Sequence, residues 1–218
     1  MGIQSEQTFS RSFNIGAVMT FACSPNAFIS WRVKYSMLRV ALLIDGWNIL
    51  KAADRIKRRV NLGQLPHVVV GAHKNRQVVF QRFYIGPITG RNAAQLVGRI
   101  ADEARAFGYE WIQCATEGAY PKTTVDMYLA MDILTWAYCH SVDVIALCSG
   151  DGGYAEAIRR AKALGLRVEV YALKSGNHLS ATLERNAHSI HDLETLGVLQ
   201  QSNEDSLAGL TEGHPADD

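Results

Sequence analysis

Five consecutive apolar residues, Val40 to Ile44, run directly into Asp45 and Gly46, and no other stretch constrains the fold as tightly. An apolar run of that length, closed by turn residues, reads as a strand buried on both faces. Such strands belong to parallel α/β sheets, which place ligands just beyond their carboxyl ends. Asp45 stands at that end. From Trp47 to Ile56 the apolar residues fall at helical spacing.

A second stretch repeats this layout. Val142 to Cys148 is apolar apart from Asp143 and is closed by Ser149-Gly150-Asp151-Gly152-Gly153, again ahead of a helical pattern. Between the two, Lys122-Thr123-Thr124-Val125-Asp126 opens a helix with a carboxylate in its first turn. Two strand-end aspartates in such a sheet meet on one edge.

The remaining pattern alternates. Strands are expected at 77–85, 109–115, 142–148, 167–173 and 189–193, and helices at 91–107, 123–140, 154–164 and 179–187. The stripe at 93, 94, 97, 100, 101, 104 and 107 is the clearest helical face. Residues 60–76, with Gly63, Pro66 and Gly71, read mostly as loop with a short apolar turn at 68–70. The alternation predicts an α/β fold: three layers, Rossmann-like, a mainly parallel sheet with helices on both faces.

Charge is unevenly spread. Residues 1–36 hold three basic and one acidic side chain, and 199–218 hold five acidic and none basic, leaving 19 basic and 15 acidic between them. A mildly basic body suits nucleic acid without demanding it. Residues 1–36 read as a disordered extension or as sequence ahead of a natural start at Met37, and 199–218 as a disordered acidic tail. The cysteines, Cys23, Cys114, Cys139 and Cys148, lack metal-ligand spacing and suit a reducing cytoplasm. No run approaches the ~18 apolar residues of a membrane span.

Asp45, Asp126 and Asp151 are the candidate catalytic and metal-holding acids. Hard cations such as Mg²⁺ and Mn²⁺ take one or two carboxylates with water and substrate phosphate. They also relieve the repulsion between clustered carboxylates. For each aspartate alone, a turn or helix-cap role is the competing reading. Asn48, Lys122 and Ser149 are candidate substrate contacts, set against helix capping, solvation and turn bonding respectively. Asp132 is a weaker candidate. Six residues beyond Asp126, it lies ~120° around the helix and suits the orientation of a neighbouring helix or a basic residue better. His188 and His191 read as structural.

The order Ile44-Asp45-Gly46-x-Asn48, then Lys122-x-x-Val125-Asp126 with Asp132, then Ser149-Gly150-Asp151-Gly152, resembles the NYN domain, the branch of the PIN-like nuclease superfamily that includes the LabA-like proteins. The resemblance covers about 39–193 and frames a domain at 37–198. It implies a Rossmann-like sheet with an acidic Mg²⁺- or Mn²⁺-binding site and ribonuclease activity on single-stranded or structured RNA. It carries the metal-site acids onto Asp45, Asp126 and Asp151, and a site role onto Asn48. One departure stands out. The family pattern is S-G-D-G-D followed by Phe or Tyr, and here Gly153 replaces the second acid before Tyr154.

Three functions compete. A metal-dependent ribonuclease leads. A non-catalytic PIN-like module that binds RNA or a regulatory partner is favoured by Gly153. A phosphatase of the haloacid dehalogenase kind needs an acid two residues after Asp45, where Trp47 stands. A dinucleotide-binding domain lacks its G-x-G-x-x-G. Self-association is left open.

Overall fold

The computed structural model describes residues 37–71, 75–114, 123–202, 207 and 210–212. Six strands form one parallel sheet: β1 (Leu38–Asp45), β3 (Arg76–Ile85), β5 (Glu110–Gln113), β6 (Val144–Cys148), β7 (Arg167–Ala172) and β8 (Ser189–Asp192). Their spatial order is β5-β3-β1-β6-β7-β8, every pair parallel. Counted along the chain, this is the doubly wound order 3-2-1-4-5-6, which reverses between β1 and β6.

Strand β1 is central because both of its faces are apolar. Val40, Leu42 and Ile44 point into one core, and Ala41 and Leu43 into the other. The first core is covered by α1 (Gly46–Arg55), α2 (Leu65–Val70) and α3 (Ala93–Ala106). The second is covered by α4 (Thr123–Cys139), α5 (Ala155–Ala163) and α6 (Ala181–Asn186). The expected three-layer α/β architecture is therefore the one observed. No helix among the described residues is long and apolar enough to cross a membrane.

Two local expectations need correction. The stretch read mostly as loop, 60–76, holds the helix α2, and just ahead of it the chain forms a strand, β2 (Arg58–Val60). Pro66 lies in the first turn of α2, where its missing N–H costs nothing. The tail was expected to be disordered from 199, yet β9 (Leu199–Gln201) pairs antiparallel with β2. Val198 is buried, which anchors that return of the chain. A two-residue pair also joins β4 (Ile88–Thr89) to β10 (Thr211–Glu212).

One polar element is buried under the first core. Arg76, at the start of β3, makes a two-pronged bond to Glu169 of β7, Nη1 to Oε2 at 2.9 Å and Nη2 to Oε1 at 2.8 Å. Burial works against ionisation of Glu169, but Arg76 and Arg167 outweigh it and pull the carboxyl down to about 2.

Candidate functional site

The sheet order reverses between β1 and β6, so a crevice opens where their carboxyl ends diverge. Asp45 closes β1, and the turn Ser149–Asp151 closes β6. Asp126 arrives from the first turn of α4.

Close backbone approach shapes both strand ends. A Cβ on Gly46 would lie 2.2 Å from the Phe83 ring and 2.7 Å from the Tyr84 carbonyl oxygen. One on Gly150 would lie 1.6 Å from the His178 carbonyl oxygen. Only glycine lets these turns sit against the neighbouring backbone.

Asp45 is 5 % exposed and fully bonded inside the protein. Its Oδ1 accepts from the Asn48 backbone N–H at 3.2 Å, capping α1. Its Oδ2 accepts from Ser149 Oγ at 3.1 Å and from the Tyr154 hydroxyl at 2.9 Å. The same hydroxyl lies 2.8 Å from Asp126 Oδ1. Tyr154 thus bridges two carboxylates with a single proton. With both acids ionised, only one contact can be a hydrogen bond; the other sets a lone pair against a negative charge.

Burial and neighbouring charge raise both acids against these hydrogen bonds. Burial lifts the Asp45 carboxyl to about 6; three hydrogen bonds oppose the rise and the Asp126 charge adds to it. Asp126 is raised by burial and by the charge of Asp151, with the Tyr154 hydroxyl opposing. Two acids held above their ordinary range mark a place where positive charge would be welcome.

Asp151 is exposed and accepts at Oδ1 from the Gly153 N–H at 2.8 Å, capping a single 3₁₀ turn, Gly152–Tyr154. Gly153 leaves a notch between the outer acids. A Cβ there would lie 3.3 Å from Asp126 Oδ2 and 3.4 Å from Asp151 Oδ1. Among the described residues, no three His, Cys, Asp or Glu side chains stand close enough to hold an ion between them. The donor set nevertheless fits Mg²⁺ or Mn²⁺. Two hard carboxylate oxygens face an open notch, and such ions complete their shell with water and phosphate.

The other candidates separate. Asn48 accepts at Oδ1 from the Gly150 N–H at 2.9 Å, tying α1 to the β6 turn. Ser149, read as a ligand contact or a turn-bonding residue, is fully buried and takes the second role. Its Oγ donates to Asp45 and accepts from the Asp151 N–H at 3.1 Å, so it positions two acids. Asp132 stays apart from them. It pairs with Arg82 Nη1 at 2.6 Å and accepts from the Tyr84 hydroxyl, as its place on the helix suggests. Lys122 lies outside the described residues. His188 accepts at Nδ1 from the Val168 N–H, and His191 stacks on Tyr171, both structural contacts.

Tyr154 was missed as a polar site residue. At the sequence level it reads as a base-stacking or core aromatic. Its ring is indeed buried, but its hydroxyl sits between the acids. Only the family pattern's Phe-or-Tyr position hinted at it. Trp47, Tyr84 and Trp111 read from sequence in the same way, as base-stacking or core aromatics; Trp47 and Tyr84 are buried, and Trp111 stacks on Phe83.

A family model, the NYN domain, matches residues 39–194. The fold is also similar to the crystal structure of a protein of unknown function from Vibrio parahaemolyticus. The TM-score is 0.61 at 20 % identity, over 75 % of this chain and 97 % of that one. At that identity the likeness speaks for the fold alone. No curated protein matches the chain.

Proposed function

The chain belongs to the NYN domain family, and from that premise we propose that it is a metal-dependent ribonuclease, hydrolysing RNA phosphodiester bonds at Asp45, Asp126 and Asp151. The observation that carries this reading is the convergence of the three acids on the crevice, with Asp45 raised by burial and the Asp126 charge, and Asp126 by burial and the Asp151 charge.

Each residue then has a physical task. Asp126 and Asp151, flanking the Gly153 notch, would hold a divalent cation with water filling its remaining positions. Such an ion supplies charge against the scissile phosphate and lowers the pKa of water. Asp45 is too buried to reach far. It sets the field at the crevice floor and, through Tyr154, the placement of Asp126. Ser149 and Asn48 lock the β6 turn that carries Asp151. Lys51 and Arg55 on α1, with His178 3.3 Å from Arg55, offer cationic and polar contacts to an RNA backbone. The cysteine usage suits work in the cytoplasm.

A second reading has its own support. Tyr154 already bridges Asp45 and Asp126, the role a cation would otherwise take, and Gly153 withholds a further acid. On that reading the domain binds RNA without cutting it.

Cleavage of a labelled mixed-sequence RNA in Mn²⁺, Mg²⁺ and chelator, with Asp45→Asn and Asp151→Asn alongside, separates the two. The nuclease reading expects cleavage in Mn²⁺ that chelator abolishes and that either substitution lowers at least ~100-fold. Salt-sensitive RNA binding with no turnover would establish the binding role instead.

A further inference from the structure

Helix α4 carries two apolar seams. One, Val125, Leu129, Ile133 and Trp136, is buried against the sheet. The other, Met127, Met131, Leu134 and Tyr138, recurs at spacings of four, three and four on the opposite side. That is the 3.5-residue repeat of a helix that packs on another helix. Met127 is 58 % exposed, and Met131 and Tyr138 are each 64 % exposed, with Leu134 partly buried between them. Tyr128, 44 % exposed, flanks the seam. Phe80 of β3, on the sheet side of α4, stacks on Trp136 of the inner seam and is no part of the outer one. It is itself exposed, because β5 pairs only with β3 from Arg82 onward.

The face is also free of charge. The only residues of α4 that carry charge near neutral pH are Asp126 and Asp132, and both are turned into their own protomer, toward Tyr154 and toward Arg82 and Tyr84. A helix that is apolar on every side belongs inside an assembly.

We propose that α4 is a homodimer interface, its outer seam packed antiparallel against the same seam of a second copy. An isologous contact presents one patch to itself, and a patch with no charge does so without repulsion. Antiparallel pairing about the middle of the seam sets Met127 opposite Tyr138 and Met131 opposite Leu134 of the second copy. The first of these is a favourable thioether–aromatic contact. The area is adequate. A large side chain buries on the order of 150–250 Å². At the observed exposures, complete cover of the seam and Tyr128 removes on the order of 500 Å² per copy and about 1,000 Å² per pair, the floor for a specific interface. This inference is independent of the chemistry at the acids.

The test is sedimentation velocity of the full chain over a range of concentrations, with Met131→Lys and Met131→Leu. The wild type and Met131→Leu should sediment as dimers. Met131→Lys, with unchanged circular dichroism, should raise the dimer Kd about a hundredfold or more, because it buries an unpaired cation. Tyr138→Lys repeats the test on the same seam if Met131→Lys fails to fold. A wild type monomeric at every concentration, or lysine variants that dimerise unchanged, would overturn the proposal; the first result would direct the seam to a different protein.

Discussion

The hydroxyl of Tyr154 shows how much one proton decides. It meets Asp45 and Asp126 at 2.9 and 2.8 Å, and it can donate to only one. Burial, reinforced by the Asp126 charge and opposed by the hydrogen bonds, holds the proton of the Asp45 carboxyl at a pKa of about 6, far above a solvated aspartate. Because the native state keeps that proton to higher pH than the unfolded chain does, stability falls as pH rises from ~4 to ~6, by about 3 kcal/mol in all. Above pH 6 the cost is fully present; below pH 4 it is absent. Asp45→Asn removes the charge at constant shape. Scanning calorimetry in chelator should find it more stable than wild type at pH 8, by about 2–3 kcal/mol, and equal to it near pH 4. Gly153 offers a complementary test. An aspartate there would place a third carboxylate beside Asp126 and Asp151. Gly153→Asp should lower the melting temperature in chelator, through like-charge repulsion, and raise it above wild type in Mn²⁺. A calorimetric Mn²⁺ titration of the two proteins should show tighter binding by the variant.

Elements bring these residues together, and they differ in how plainly the chain announces them. The apolar runs ending in Asp45 and at Ser149 are legible because a strand buried on both faces has no room for polar residues. Their aspartates fall at the sheet's carboxyl edge by construction, so the acids could be named from sequence. What the chain hides is convergence. Ser149 looks like a turn residue open to ligand until β1 and β6 are set side by side, and then its Oγ is enclosed between Asp45 and Asp151. Tyr154 carries no polar signature beyond its hydroxyl. Strands β2 and β9 are three residues each and join positions far apart in the chain, so neither has a period to read. The buried pair of Arg76 and Glu169 is equally silent, because Arg76 opens its strand and Glu169 alternates with Val168 and Val170, positions at which a charged residue usually faces water. Removing half of it should be costly: Glu169→Gln leaves a buried guanidinium without its counter-charge. Urea unfolding should show a loss of about 3–5 kcal/mol.

At the largest scale the described domain is a doubly wound sheet whose switch point holds negative charge that the fold itself does not neutralise. The core on either side is apolar and closely covered, so the instability is local to the crevice and belongs to function more than to folding. The account rests on that charge being there to receive a divalent cation. The most direct measurement is thermal unfolding of the wild type and Asp126→Asn at pH 7.5 as Mn²⁺ is added. The account predicts that the wild-type melting temperature climbs by several degrees toward saturation while Asp126→Asn stays flat, since linkage of ~2–3 kcal/mol corresponds to ~5–10 °C in a chain of this size. Equal shifts in the two proteins, or none in the wild type, would contradict it.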